Sequence, residues 1–135
     1  MTPRGELADF EKTTVKLFDN VSPSVVYVNV SSRVRTPFSR FGREVPSGAG
    51  SGFIWDEAGH VVTNFHVIQN ADKATVVMFD QSSHAATLVG ASPSHDLAVL
   101  KIRVPAGVVR PVTIGESRDL SVGQSVFAIG NPFGL

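Results

Sequence analysis

The sequence predicts an all-β domain, a closed antiparallel barrel or a sandwich, with one helix in front of it. Three observations predict this. After Pro23 the chain becomes rich in β-branched and aromatic residues arranged in short runs. Turn signals separate most of these runs: DEAG at 56–59, QSS at 81–83 and the corner from Pro93 to Asp96. Six such runs fall between residues 24 and 102, a spacing typical of antiparallel all-β architectures and not of a parallel sheet.

The elements follow in order. Residues 6–20, ELADFEKTTVKLFDN, place Leu7, Phe10, Thr14, Leu17 and Phe18, with Val21 just beyond, on one face at helical spacing. Ser22-Pro23 ends this helix, because proline disfavours helical backbone at the residue before it. The apolar face either packs on the body or forms an oligomer contact through Phe10 or Phe18; periodicity supports both. SVVYVNV (24–30) is the first predicted strand. RVRTPFSRFGREVP (33–46) breaks the texture with two prolines, a glycine and several arginines, and reads as a long exposed loop. GAGSGFIW (48–55), HVVTN (60–64), KATVVMFD (73–80), HAATLVGA (84–91) and LAVLKI (97–102) complete the six. Residues 103–123 form a looser connector with Pro105, Gly107, Pro111, Gly115 and Gly123. QSVFAIG (124–130) then reads as a seventh strand, and NPFGL closes the chain on apolar residues. The expected organisation is a helical segment 1–23, a first barrel 24–102, a connector 103–123 and, at 124–135, the opening strand of a second barrel cut short inside a larger protein. Val126, Phe127, Ile129 and Phe133 are expected to lose the burial they would have there.

Composition narrows the function classes. With 135 residues, 42 % hydrophobic and 18 % charged, the chain suits one globular domain. Twelve basic residues balance 12 acidic ones, so no global field favours nucleic acid or an anionic membrane. Arg33, Arg35, Arg40 and Arg43 cluster locally, as a solvated loop or an anion-binding patch. There is no cysteine, which excludes disulfides, thiolate catalysis and Cys-containing zinc sites. No apolar run approaches the ~20 residues of a membrane-spanning helix, and MTPRGELADFEK lacks the apolar middle of a signal peptide.

Two stretches carry candidate chemistry. TNFHVI (63–68) sets His66 at the end of an apolar strand, and HDLAVLKI (95–102) sets Asp96 at the head of another. In acyl transfer by a serine, a histidine takes the hydroxyl proton and an aspartate holds the imidazole in the right tautomer. His66 and Asp96 can play these parts if the barrel brings the two strand ends together. The plain alternative is a structural histidine and a turn aspartate. Ser51 in GAGSGF is no nucleophile elbow, since G-x-S-x-G needs glycine where Ala49 stands. His60, His84 and His95 show no metal-binding spacing, so neither metal nor cofactor is expected.

GSGFIWDEAGHVVTNFHVI, then HDLAVLKI, then VGQSVFAIGNPFG, with SPSVVYV near the start, resembles the protease domain of the Deg/HtrA family of trypsin-like serine endopeptidases. The likeness runs from about Leu7 to Leu135. It implies a trypsin-like fold, with the general base at His66 and the orienting acid at Asp96. The family's nucleophile lies in a GNSGGP motif within the second barrel, so the resemblance places no catalytic serine in this chain; the oxyanion hole and specificity pocket are expected to lie beyond it too. The chain alone is then expected to be inactive. The resemblance further implies action on misfolded or unfolded proteins, homo-oligomers assembled as trimers through N-terminal segments, and an extracytoplasmic setting, bacterial periplasm or an organelle lumen. The alternative is a non-catalytic fragment that binds unfolded polypeptide or a complete subunit. An unrelated β-barrel is the third possibility, to be tested by the His66–Asp96 separation.

Overall fold

Alternating valines begin the core. Val26, Val28 and Val30 point the same way along strand β1 (Val25–Val34) and are buried, while the residues between them are not. A computed structural model describes residues 5–38 and 40–135. The first four residues of the predicted segment 1–23 lie outside the described residues. After β1 come β2 (Arg43–Ile54), β3 (His60–Thr63), β4 (Lys73–Val77), β5 (Ser83–Ser92) and β6 (Leu97–Ile102). They form one closed barrel in the order β1-β2-β3-β6-β5-β4, every pair antiparallel. The circle closes between β4 and β1, from Tyr27 opposite Val77 to Ser31 opposite Lys73. Inside, Ile54, Val61, Val76, Leu100 and Ile102 meet the β1 valines. Three residues from outside the strands complete this core: Val67, Met78 just after β4, and Val109 of the segment after β6.

Helix α1 (Asp9–Val21) starts later than the pattern predicts. Asp9 and Glu11 lie in its first turn, favourable against the helix dipole, and Glu11 accepts the backbone N–H of Ala8 at 2.8 Å. It buries no side chain completely. Leu7, Thr14, Leu17 and Val21 are half-buried, whereas Phe10 is exposed. Phe18 meets Phe127 edge-on, ring centres 6.3 Å apart.

Two sequence expectations are corrected. The exposed loop expected at 33–46 is shorter than predicted: β1 and β2 continue into its two ends as a two-stranded ribbon as far as Val34 opposite Arg43, and residues 35–38 and 40–42 remain without strand. Polar, arginine-rich sequence hid it, because a ladder is made by backbone groups and an exposed ribbon needs no apolar face. Pro46 is accommodated at an irregularity, where the register steps from Val30–Gly48 to Ser31–Pro46 and leaves Ser47 unpaired. The predicted strand 124–130 does not form. Its residues are apolar and strand-like, but every barrel strand already has two neighbours and none offers a free edge. Val126, Phe127 and Phe133 stand exposed, as expected, and Ile129 is half-covered.

Candidate active site

Strand β3 delivers the histidine. Its last residue, Thr63, is buried and donates its hydroxyl to the carbonyl of Ser51 on β2 at 2.8 Å. Asn64 is extended backbone and leads into a single helical turn, α2 (Phe65–Ile68). Within that turn Val67 enters the core and His66 does not. The turn sits close against β2 because the facing positions are small. A Cβ on Gly50 would lie 2.5 Å from Val67 Cγ2, and one on Gly48 would lie 3.2 Å from the Val67 carbonyl oxygen. Gly48 and Gly50 are therefore the floor on which the histidine-bearing turn rests.

The aspartate arrives from the other side. A 3-10 turn, Pro93–His95, ends on Asp96, which adopts left-handed backbone at φ 52° and ψ 44°. Asp and Asn enter this region more readily than most other residues do. From there one carboxylate oxygen, Oδ1, accepts the backbone N–H of His66 at 2.8 Å. The other, Oδ2, meets His66 Nδ1 at 2.6 Å. The amide of Asn64 donates to the Asp96 carbonyl at 3.0 Å. Three hydrogen bonds thus lock two strand ends that are far apart in sequence.

The electrostatics fix the tautomer. The Asp96 carboxyl is held below its ordinary value, first by the backbone N–H of His66 and then by the His66 ring, against a desolvation effect of opposite sign. At neutral pH it is ionised and can only accept. Nδ1 therefore carries the proton and Nε2 is left with its lone pair outward. An imidazole so held can take a proton at Nε2 while its charge is met at Nδ1. The pair is open to water: 67 % of the His66 side chain and 46 % of the Asp96 side chain are accessible.

Ser51 lies elsewhere in this network. Its hydroxyl oxygen accepts the backbone N–H of Asn131 at 2.7 Å. Among the described residues, the hydrogen bonds of His66 go to Asp96 alone. The other histidines are held locally. His60 pairs through Nδ1 with Asp56 at 2.7 Å across the β2–β3 turn and is half-buried. His84 meets the Ser82 hydroxyl at 2.9 Å, also half-buried, and His95 meets that of Ser92 at 2.7 Å. Among the described residues no three His, Asp or Glu side chains gather as metal ligands, and no helix is long and apolar enough to cross a membrane. Sequence reasoning singled out the pair but missed Asn64 and the glycine floor. The quoted strings TNFHVI and GAGSG contained both, and only the third dimension shows their use.

Comparison with known proteins agrees with the fold. The family profile described as Trypsin-like peptidase domain matches residues 50–135. Protease Do-like 1, chloroplastic, from Arabidopsis thaliana is 48 % identical over 134 residues, covering 99 % of this chain and 30 % of the relative. A probable periplasmic serine endoprotease DegP-like from Brucella suis is 48 % identical over 96 residues, covering 71 % of this chain and 19 % of the relative. Among solved structures, that titled Crystal structure of Deg5 superposes with a TM-score of 0.78 at 40 % identity, covering 96 % of this chain and 61 % of that one. The chain spans well under half the length of these curated relatives.

Proposed function

Because the chain belongs to the trypsin-like peptidase family, with Deg/HtrA proteases as its relatives, we propose that it supplies the base-and-acid half of a serine endopeptidase site. His66 is the general base and Asp96 the acid that orients it. The observation that carries this reading is the two-oxygen grip of Asp96, one oxygen on the His66 backbone and one on its ring.

In the proposed cycle, Nε2 of His66 takes the proton of an attacking serine hydroxyl as that oxygen adds to the scissile carbonyl. The imidazolium keeps its Nδ1 proton on Asp96, which stays ionised throughout. The same Nε2 then hands its proton to the leaving amine, and the steps repeat with water. The serine is one outside residues 1–135, a reading supported by Ser51 being engaged by Asn131. The protein acts on misfolded or unfolded polypeptides, in an extracytoplasmic compartment, as a homo-oligomer. Support for the compartment lies in relatives named periplasmic and chloroplastic.

The test is cleavage of an unfolded protein such as casein by the complete protein that carries this chain. His66→Ala should lower kcat by about six orders of magnitude, and Asp96→Asn by about four. Activity within tenfold of the parent in both variants, with the fold intact, would overturn the assignment. A second reading, a binding module without cleavage, is favoured by the exposed Val126, Phe127 and Phe133. It predicts casein binding that His66→Ala leaves unchanged and no cleavage by the unmodified complete protein.

A further inference from the structure

The ribbon formed by the ends of β1 and β2 stands clear of the barrel. β4 pairs with β1 only as far as Ser31, whereas β1 and β2 remain paired through Ser32–Val45, Arg33–Glu44 and Val34–Arg43. Three such pairs make about 10 Å of ladder beyond the last β1–β4 pair. The base is fixed: Ser32 donates its hydroxyl to the Asn70 carbonyl at 2.9 Å, and the Arg33 N–H meets the Asp72 carboxylate at 2.6 Å. The tip therefore projects from a firm mounting.

The chemistry of the tip is two-sided. Phe38 is 99 % accessible and Phe41 84 %, so two rings stand in water with nothing over them. Arg35, Arg40 and Arg43 are also exposed, and among the described residues none of the three makes a salt bridge. The nearby carboxylates are occupied, Glu44 by the Ser31 hydroxyl at 2.7 Å and Lys73 at 3.7 Å, and Asp72 by the Arg33 N–H. A solvated loop has no use for two bare phenylalanines, and a simple anion site has none either.

We propose that this ribbon tip docks the protein on an anionic lipid surface, with Phe38 and Phe41 inserted at the acyl boundary and the arginines on the lipid phosphates. Charge complementarity selects the partner. Such a surface offers phosphates at one depth and hydrocarbon a few ångströms below, which is the order in which a projecting tip would meet them. Single-stranded nucleic acid also combines phosphates with stacking faces, but its binders track the backbone along a groove. A convex hairpin end provides none. The docking is peripheral and reversible, since two rings and three cations fall far short of a membrane-spanning anchor.

Vesicle flotation of the full chain tests this. One set of vesicles is pure phosphatidylcholine, and the other contains about 30 mol % phosphatidylglycerol. The chain should float with the anionic vesicles only, and rising salt should release it. Arg35→Gln with Arg40→Gln should weaken partitioning roughly 25-fold, at ~5-fold per arginine near the surface. Phe38→Ser with Phe41→Ser should weaken it at all salt concentrations, with circular dichroism unchanged in both variants. No flotation, equal flotation with neutral vesicles, or binding untouched by both double variants would overturn the proposal. So would loss of binding to a single-stranded oligonucleotide in these variants while lipid binding is absent.

Discussion

Asp96 does two jobs with its two oxygens, and both depend on its charge. Protonation turns an acceptor into a donor, so the grip on the His66 backbone and ring cannot survive it intact. The folded-state value is lowered relative to the unfolded chain. The stabilisation is therefore fully present above the unfolded value of about 3.9 and disappears as pH falls through the lowered folded value. Thermal melts of the parent and of Asp96→Asn should differ at neutral pH and converge at pH values below the carboxylate range. A difference that persists unchanged in strong acid would mean that the carboxylate charge is not what holds the loop. Exposure of both side chains limits the size of the effect, so the gap should be small and its pH dependence is the informative part. Asn64 belongs to the same unit: its amide anchors the Asp96 carbonyl, where the left-handed backbone would otherwise be free to relax.

At the scale of elements, the histidine turn is only as well placed as its floor. Gly50 has no room for a methyl group beside Val67, and Val67 is both stiff and buried. Gly50→Ala should cost about 1–3 kcal/mol, the usual range for an overpacked core, and lower the melting temperature by several degrees. It should also displace His66, so the imidazole resonances should shift in a variant altered on a different strand; an unchanged spectrum would show that α2 is held by Asp96 alone. These contacts explain what the sequence could reveal. β6 was legible to the residue, Leu97–Ile102, because a proline corner precedes it and a short apolar run fills it. The strand boundaries offered His66 and Asp96 as a pair beside the plainer reading of a structural histidine and a turn aspartate, and it was the family resemblance that singled the pair out. The ribbon strands at 33–34 and 43–46 and the empty 124–130 were not, for opposite reasons. The first pairs through backbone despite polar side chains, and the second has strand-like side chains with no partner. Pairing is non-local, and local pattern is silent about it.

For the whole molecule, a closed barrel divides the chain into a protected part and a tethered part. Amides on β1, β3 and β6 are bonded on both sides and enclose the core, so their exchange should require global opening. Residues 124–135 form no ladder; the N–H groups of Gln124, Gly134 and Leu135 bond only within the last segments, and these residues should exchange far faster than the barrel, whereas one amide is fastened to the barrel itself. The N–H of Asn131 is held by the Ser51 hydroxyl, and Gly130 lies so close that a Cβ there would be 2.8 Å from the same oxygen. Ser51 is thus the point at which the chain's last segment is fastened to β2. Its role as a tether rather than a nucleophile can be separated experimentally. Ser51→Ala removes the acceptor at a cost of about 1–3 kcal/mol if the Asn131 N–H finds no water, and less if it does. Exchange at Asn131 should then rise to the level of its neighbours while the barrel amides stay protected. In the complete protein, casein cleavage should persist in Ser51→Ala, because the hydroxyl points to Asn131 and not to His66. Loss of cleavage with the same exchange pattern as the parent would instead make Ser51 the attacking group, and the proposed division of the site would have to be redrawn.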